Sequence, residues 1–452
     1  MIGIVVSRAD SASAHIGDHL LDLGDFQRTD DGVYSADGFE LREFDDLHLD
    51  LDGVAAAFDD PDFVVFVSRH AGDTGPLLTA HFTGNFGAAE YGGADRSLAP
   101  ACPNAHREVV TALDAHAPEG YDVGVECTHH GPTEVGAPSM FVELGSGEEE
   151  WSDSEGARAV AKAVLDLRGV APRTERSLVA FGGSHYAPRP ERIVRETEWA
   201  VGHVAADWCL DDLGDPREHA DVVDRMFAAS GATRAVVDGD KPDVESVVAD
   251  LGYRVVSETW VRETSGVPLA LAASIEGDLG PVDEGLRFGD PSEDHAGDYV
   301  VVDLPTELLD AAHAADAQAT VEAGGSTALA VATEENGNRL TGAAAFPDET
   351  TYEAFLERVA DVLKTDYDDV AVDSETLTAT REAFDPAAAS NLGVPEGPAF
   401  GRLANGEVVE VEGREVRPAD VARNETLSVP VGFGYRARGR VRRPSDAEGK
   451  GN

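Results

Sequence analysis

The chain has 452 residues, with 86 acidic against 35 basic, a formal charge of −51 and an apolar fraction of 42%. This length exceeds what one core usually serves, so two domains are expected, and the apolar fraction excludes a disordered acidic tail as the source of the charge. Only four basic residues are lysines (Lys162, Lys241, Lys364, Lys450), a halophilic pattern that leaves an RNA partner open, because at molar salt the Debye length is about 3 Å.

In chain order, MIGIVVSRAD lacks the basic start and long apolar core of a signal peptide, and no window approaches the roughly 18 apolar residues of a membrane span. Cys102, Cys127 and Cys209 are odd in number and widely spaced, which fits a reducing compartment, so a cytoplasmic location is expected. Strands are predicted at 2–6, 63–67, 121–125, 177–181, 234–237 and 253–256, where β-branched runs recur. Between them, helices are expected after an Asn104 cap, after a Ser154 cap, and from Pro190 through PERIVRETEWAVGHVAADWCL. The alternation points to an α/β fold, a mixed sheet flanked by helices. From about residue 265 the composition turns to Gly, Pro and acids, with few periodic elements before YEAFLERVADVLK at 352–364. The expected organisation is a catalytic domain over 1–270, a linker over 271–295, an α+β extension over 296–435 and a basic tail over 436–452.

The histidines carry the chemistry. His70, His81, the group Glu126, His129 and His130, and His185 each follow an apolar run and lie in glycine-bearing turns. In an open α/β sheet, residues just past several strands converge in the crevice at the strand ends. Imidazoles plus a carboxylate on separate strands suit a metal site with one open position, although no Cys-x-x-Cys or His-Glu-x-x-His motif is present and exposed histidines also cluster by chance. His129 and His130 are adjacent, so in a strand they would face opposite ways; a turn at Gly131-Pro132 would bring them together. Glu126 could be a ligand, a general base or the carboxylate that orients a ligating imidazole. Arg189, Arg192 and Arg195 could meet nucleic-acid phosphates, or pair within their helix with Glu191, Glu196 and Glu198.

Taken together, MIGIVVSRADSAS, HFTGN at 81–85, ECTHHGP at 126–132, GGSHYAPR at 182–189 and VGHVAADW at 201–208 resemble the archaeal and plant type of D-aminoacyl-tRNA deacylase. The resemblance covers about residues 1–270, and Ser184 stands where a Gly or Asn is usual. It implies a fold related to the phosphorylase/peptidyl-tRNA hydrolase group, Zn2+ as cofactor, and hydrolysis of the ester between a D-amino acid and the tRNA acceptor end. On that basis His81, His130 and His185 are expected to bind metal, Glu126 and His129 to support proton transfer or orient ligands, and Asn85, Arg189 and Arg192 to contact substrate. A monomer with no membrane association is expected. A peptidyl-tRNA hydrolase-like or nucleoside phosphorylase-like enzyme, or a non-catalytic tRNA-binding protein, remain as alternatives.

Overall fold

The β-branched runs become the buried strands of an α/β fold. A computed structural model describes residues 1–438 and 441–443, and the chain divides between Ser265 and Gly266 into two compact units.

The first unit carries strands β1 (Ile2–Ser7), β2 (Gln27–Asp30), β3 (Val33–Ala36), β4 (Phe39–Phe44), β5 (Phe63–Arg69), β6 (Leu77–His81), β7 (Gly84–Asn85), β8 (Ser97–Leu98), β9 (Asp122–Val125) and β10 (Ser139–Gly145). Eight of them form one sheet in the order β2-β3-β4-β1-β5-β10-β6-β9, and β7 and β8 make a small ribbon. β1 runs parallel to both β4 and β5, and all six of its residues are buried, as a central strand covered on both faces requires. A second sheet, order β12-β11-β13-β14, is built from β11 (Ser177–Phe181), β12 (Ala200–Ala205), β13 (Arg234–Val237) and β14 (Arg254–Val255), all paired parallel.

Helices α1 (Ser11–Leu23), α2 (Pro103–His116), α3 (Glu148–Trp151) and α4 (Ser154–Leu165) accompany the large sheet, with α1, α2 and α4 packed against β5, β6 and β10. Helices α5 (Pro188–Glu196), α6 (Asp207–Leu213), α7 (Ala220–Ser230), α8 (Pro242–Asp250) and α9 (Glu258–Glu263) accompany the smaller one. Two expected caps shift by a residue or more. Asp153, not Ser154, caps α4 by accepting from the Glu155 amide, and Asn104 donates to the Ala171 carbonyl instead of capping α2, which opens on Pro103. The long helix expected from Pro190 is three elements, because Ala200–Ala205 is a fully buried strand between α5 and α6.

In the second unit, the 271–295 linker is corrected to ordered structure. Helix Leu269–Leu279 buries Leu271, Ala272 and Ile275, and strand Leu286–Phe288 pairs antiparallel with Ala330–Glu334. Sheet Leu286–Phe288, Ala330–Glu334, Arg339–Phe346, Val300–Asp303 and helix Glu349–Leu363 enclose a core containing Leu308, Phe346, Phe355 and Leu363. Helices at Thr306–Ala315 and Ala317–Thr327 precede the periodic segment at 352–364; their alanine, glycine and threonine content hid their periodicity. Three arginines in the described part of the basic tail pair within this unit, Arg438 with Asp303, Arg442 with Asp278 and Arg443 with Asp298, while Arg436 donates to the Pro430 carbonyl. Residues 439–440 and 444–452 of that tail lie outside the described residues.

Candidate active site

The site begins with sheet direction. β10 runs parallel to β5 but antiparallel to β6, and β9 runs parallel to β6. The strand ends that carry His70 and His81 therefore do not share one carboxyl edge, as the sequence suggested. The cluster lies instead across one face of the sheet. In that register His81 stands opposite Phe141, and Thr79, Glu143 and Ser68 form the next row on the same face. The Ser68 hydroxyl donates to Glu143 Oε1 at 2.7 Å. Glu126 follows β9, and His185 follows β11 of the other sheet. The Cys127 amide donates to the His185 carbonyl (2.8 Å), and the Thr128 amide donates to the Val204 carbonyl (2.8 Å).

His129 and His130 reach the same place because the chain is not a strand there: His130 has φ +43°, a left-handed turn. The following Gly131 has no room for a side chain, since a Cβ would come within 2.4 Å of the Gly92 and Gly93 backbone. Three imidazoles are locked in the same way. Nδ1 of His81, His129 and His130 hydrogen-bonds the carbonyls of Phe82 (3.0 Å), Cys127 (2.8 Å) and Gly131 (2.7 Å). A carbonyl can only accept, so Nδ1 carries the proton and the Nε2 lone pair is left for a ligand, the arrangement of metal-bound histidines.

The carboxylates complete the cluster. Glu126 Oε2 is 2.8 Å from His185 Nε2 and 3.9 Å from His129 Nε2, while its Oε1 is 3.3 Å from His70 Nδ1. Glu143 lies 3.5 Å from His81 Nε2 and 3.6 Å from His70 Nδ1. His81 Nε2 and Glu126 Oε1 are buried without a hydrogen-bond partner among the described residues. Orphaned polar atoms at this depth cost free energy unless something else satisfies them, and a metal ion fits that donor set. Three groups could hold one: His81, His129 and His130; Glu126, His129 and His185; and His70, Glu126 and Glu143. The expected trio of His81, His130 and His185 is thus divided, with His129 common to the two histidine-rich groups.

Charge in the cluster is polarised. Burial pulls His70 down, but Glu126 and Glu143 outweigh it and raise it to about 9. Contact with Cys127 and then Glu126 raises His185 to about 10. Burial, the largest cause in each case, lowers His130 to about 4 and His129 well below its usual value. Burial would raise Glu126, yet His185 and His70 hold it well below the carboxylate range. At neutral pH the site therefore contains ionised carboxylates beside neutral His129 and His130.

Glu143 was missed in the sequence. Its signal was a single carboxylate inside SMFVELG, a run whose seven residues are all buried. His106 and His203 are also buried but serve structure: His106 Nε2 bonds the Ala80 carbonyl, and His203 bonds Thr128 Oγ1 and the Ala99 carbonyl.

The expected substrate contacts are differently occupied. Asn85 Nδ2 donates to the carbonyls of Gly92 (2.9 Å) and Ala94 (3.2 Å), stapling the loop that carries Tyr91. Arg192 forms a forked pair with Glu258 (2.7 and 2.6 Å), and Arg189 donates to the Val237 carbonyl and pairs with Asp238. A phosphate at Arg192 must therefore displace Glu258. Arg192, then Arg262, depresses Glu258 to about 2 from the usual 4.5, so this pairing contributes stability in full above about pH 4.5 and loses it as pH falls through 2. Unfolding midpoints of Glu258→Gln should decline less between pH 4.5 and 2 than those of the parent at equal salt; identical declines would contradict the pairing.

Two cavities flank the cluster and share Tyr91, His129 and His130. One, of about 510 Å³, is lined by Asn85, Phe86, Glu90, Trp208 and Asp212. The other, of about 390 Å³, is lined by Leu47, Leu49, Ala71 and Phe141, with Asp10 and the cluster carboxylates.

Fold and site together define an α/β protein built around a buried imidazole and carboxylate centre able to hold a metal ion. Residues 57–256 match the D-aminoacyl-tRNA deacylase family. Similar curated proteins are the D-aminoacyl-tRNA deacylases of Halobacterium salinarum (61% identical, all of both chains), Natronomonas pharaonis (54%, 94% of this chain and 98% of that one) and Methanoregula boonei (34%, 95% and 98%). Among solved structures, the crystal structure of a conserved protein of unknown function is 31% identical with a TM-score of 0.54, covering 59% of this chain and 98% of that one. The chain belongs to the D-aminoacyl-tRNA deacylase family, whose members are hydrolases. The likeness to the curated relatives runs through the second unit as well, beyond the reach of the sequence motifs.

Proposed function

We propose that the chain hydrolyses the ester between a D-amino acid and the tRNA acceptor end, releasing free tRNA and the D-amino acid, with zinc as its metal. The observation that carries this reading is the set of three imidazoles whose Nδ1 atoms are bonded to carbonyls and whose Nε2 atoms are left available beside buried carboxylates. Among the candidate metals, imidazole-rich donor sets suit zinc. His81 and His130 are the proposed ligands on one side, and His185 on the Glu126 side. Zinc held there would supply Lewis acidity toward the ester carbonyl and acidify water near neutral pH.

The chain's own groups do the rest. Ionised Glu126 keeps His185 oriented through Oε2, and its Oε1 can accept a proton from water. Neutral His129 offers Nε2 as a second acceptor, its tautomer fixed by the Cys127 carbonyl. Arg189 and Arg192 enter as acceptor-end contacts by exchanging their carboxylate partners for phosphate, with Asn85 holding the adjoining loop. We place this activity in a cytoplasmic monomer, in keeping with three unpaired cysteines; no described helix is long and apolar enough to cross a membrane. We further relate the first unit to the phosphorylase/peptidyl-tRNA hydrolase group, in keeping with its mixed sheet flanked by helices.

Release of amino acid from matched D- and L-aminoacyl-tRNA in high KCl tests the activity. Rapid release from the D ester alone is expected. A requirement for inorganic phosphate, or cleavage of N-blocked peptidyl-tRNA in place of the D ester, would replace this reading with one of its alternatives.

A further inference from the structure

The first unit is strongly acidic at its surface, yet it leaves two large ring-bearing side chains open. Among its described residues, Tyr91 (67% exposed) and Trp208 (42%) are the exposed large hydrophobics, and both line the 510 Å³ cavity. They come from separate elements, Trp208 from α6 and Tyr91 from the loop between β7 and β8. That loop is held in place by the Asn85 amide and by the Gly131 amide, which donates to the Tyr91 carbonyl at 2.8 Å. The Trp208 ring lies 6.3 Å from the His185 ring at an interplanar angle of 29°. A platform of exposed aromatics beside a reaction centre suits the π-face of a nucleobase.

The remaining lining separates nucleoside from phosphate. Glu90 and Asp212 contribute carboxylates, and no Lys or Arg lines the cavity. Carboxylates accept from the exocyclic amine of a base or from ribose hydroxyls, and repel phosphate. The 390 Å³ cavity differs: Leu47, Leu49, Ala71 and Phe141 form an apolar wall, and the carboxylates of Asp10, Glu126 and Glu143 alternate with Arg69, His70 and His185. The apolar wall suits an amino-acid side chain, and the carboxylate oxygens are acceptors for its ammonium group.

We propose that the 510 Å³ cavity receives the terminal adenosine of the acceptor, with its base on Trp208 and Tyr91, and that the 390 Å³ cavity receives the amino acid. The ester between them then lies over His129 and His130, which together with Tyr91 line both cavities. This assignment rests on the deacylase reading and adds which side of the cluster holds each half of the substrate.

The test uses the full chain in high KCl and a deacylated acceptor hairpin carrying 2-aminopurine in place of its terminal adenine. Binding should quench the fluorophore, and Trp208→Ala should weaken binding by about tenfold, in the range of one base stacked on one ring. Trp208→Phe should recover most of it, and Tyr91→Ala should act in the same direction. In turnover, Ala71→Trp should lower kcat/KM for D-tyrosyl-tRNA by about tenfold or more relative to D-alanyl-tRNA, because it fills the amino-acid side. An unquenched fluorophore, Trp208→Ala binding within about twofold of the parent, or equal losses for both esters in Ala71→Trp would overturn the assignment. The hairpin carries no ester, so quenching that depends on Trp208 supports the nucleoside cavity even if no ester is cleaved. Cleavage without quenching would overturn the cavity assignment and leave the deacylase reading standing.

Discussion

Replacing Glu126 with Ala is expected to abolish turnover, with a loss of about a thousandfold or more, equivalent to roughly 4 kcal/mol of barrier. Glu126 touches His185, His70 and His129, and it belongs to two of the three groups able to hold a metal. Removing it takes away a donor, the orientation of His185 and the negative charge that faces His70. Both metal content and D-ester hydrolysis should fall together. A Glu126→Ala protein that retains full metal and rate would show that the cluster is not the active centre. Glu126→Gln separates the contributions: it preserves shape and one acceptor while removing charge, so a rate as low as that of the Ala variant would assign the effect to ionisation.

The second large effect is expected at Glu143. Its side chain is buried, accepts from Ser68, lies near His81 and His70 and lines the 390 Å³ cavity. Glu143→Gln keeps the volume and the Ser68 contact but leaves the two imidazoles with less compensating charge. Partners that orient metal-binding histidines typically matter by about ten- to a hundredfold in affinity or activity, and a loss of that size is expected here. The measurement is metal affinity alongside kcat/KM, with circular dichroism to confirm the fold. Unchanged values of both would reduce Glu143 to a core carboxylate.

Much of the site could be read from the sequence, because its histidines stand at or just past the ends of apolar runs that become strands. His70, His81, Glu126, His129, His130 and His185 were all singled out in this way, and the structure brings them together. The details that failed were those set by distant pairing. The reversal of β6 relative to β10 moved the site from a strand edge to a sheet face, and nothing local to Leu77–His81 records that direction. Glu143 was hidden because a carboxylate inside an apolar run reads as an interruption until the strand is seen to be buried on both sides. Ala200–Ala205 was absorbed into a helix for a related reason: its Gly202 and His203 weaken the strand pattern, whereas the structure buries Gly202 against Ser230 and satisfies His203 from both ring nitrogens. In the second unit, helix Leu269–Leu279 resembles a linker in sequence because its alanines and glycine give little amphipathic contrast, although Leu271 and Ile275 are fully buried.

The most direct test of the central claim, a metal-dependent centre that hydrolyses a D-aminoacyl ester, is the rate of D-amino acid release from D-aminoacyl-tRNA in high KCl before chelation, after chelation and after zinc is restored. The expected result is loss of the D-specific rate on chelation and its recovery with zinc, while the protein stays folded throughout. A D-specific rate that persists in the fully chelated, folded protein would contradict the metal-dependent account and leave hydrolysis to Glu126 and His129 without it.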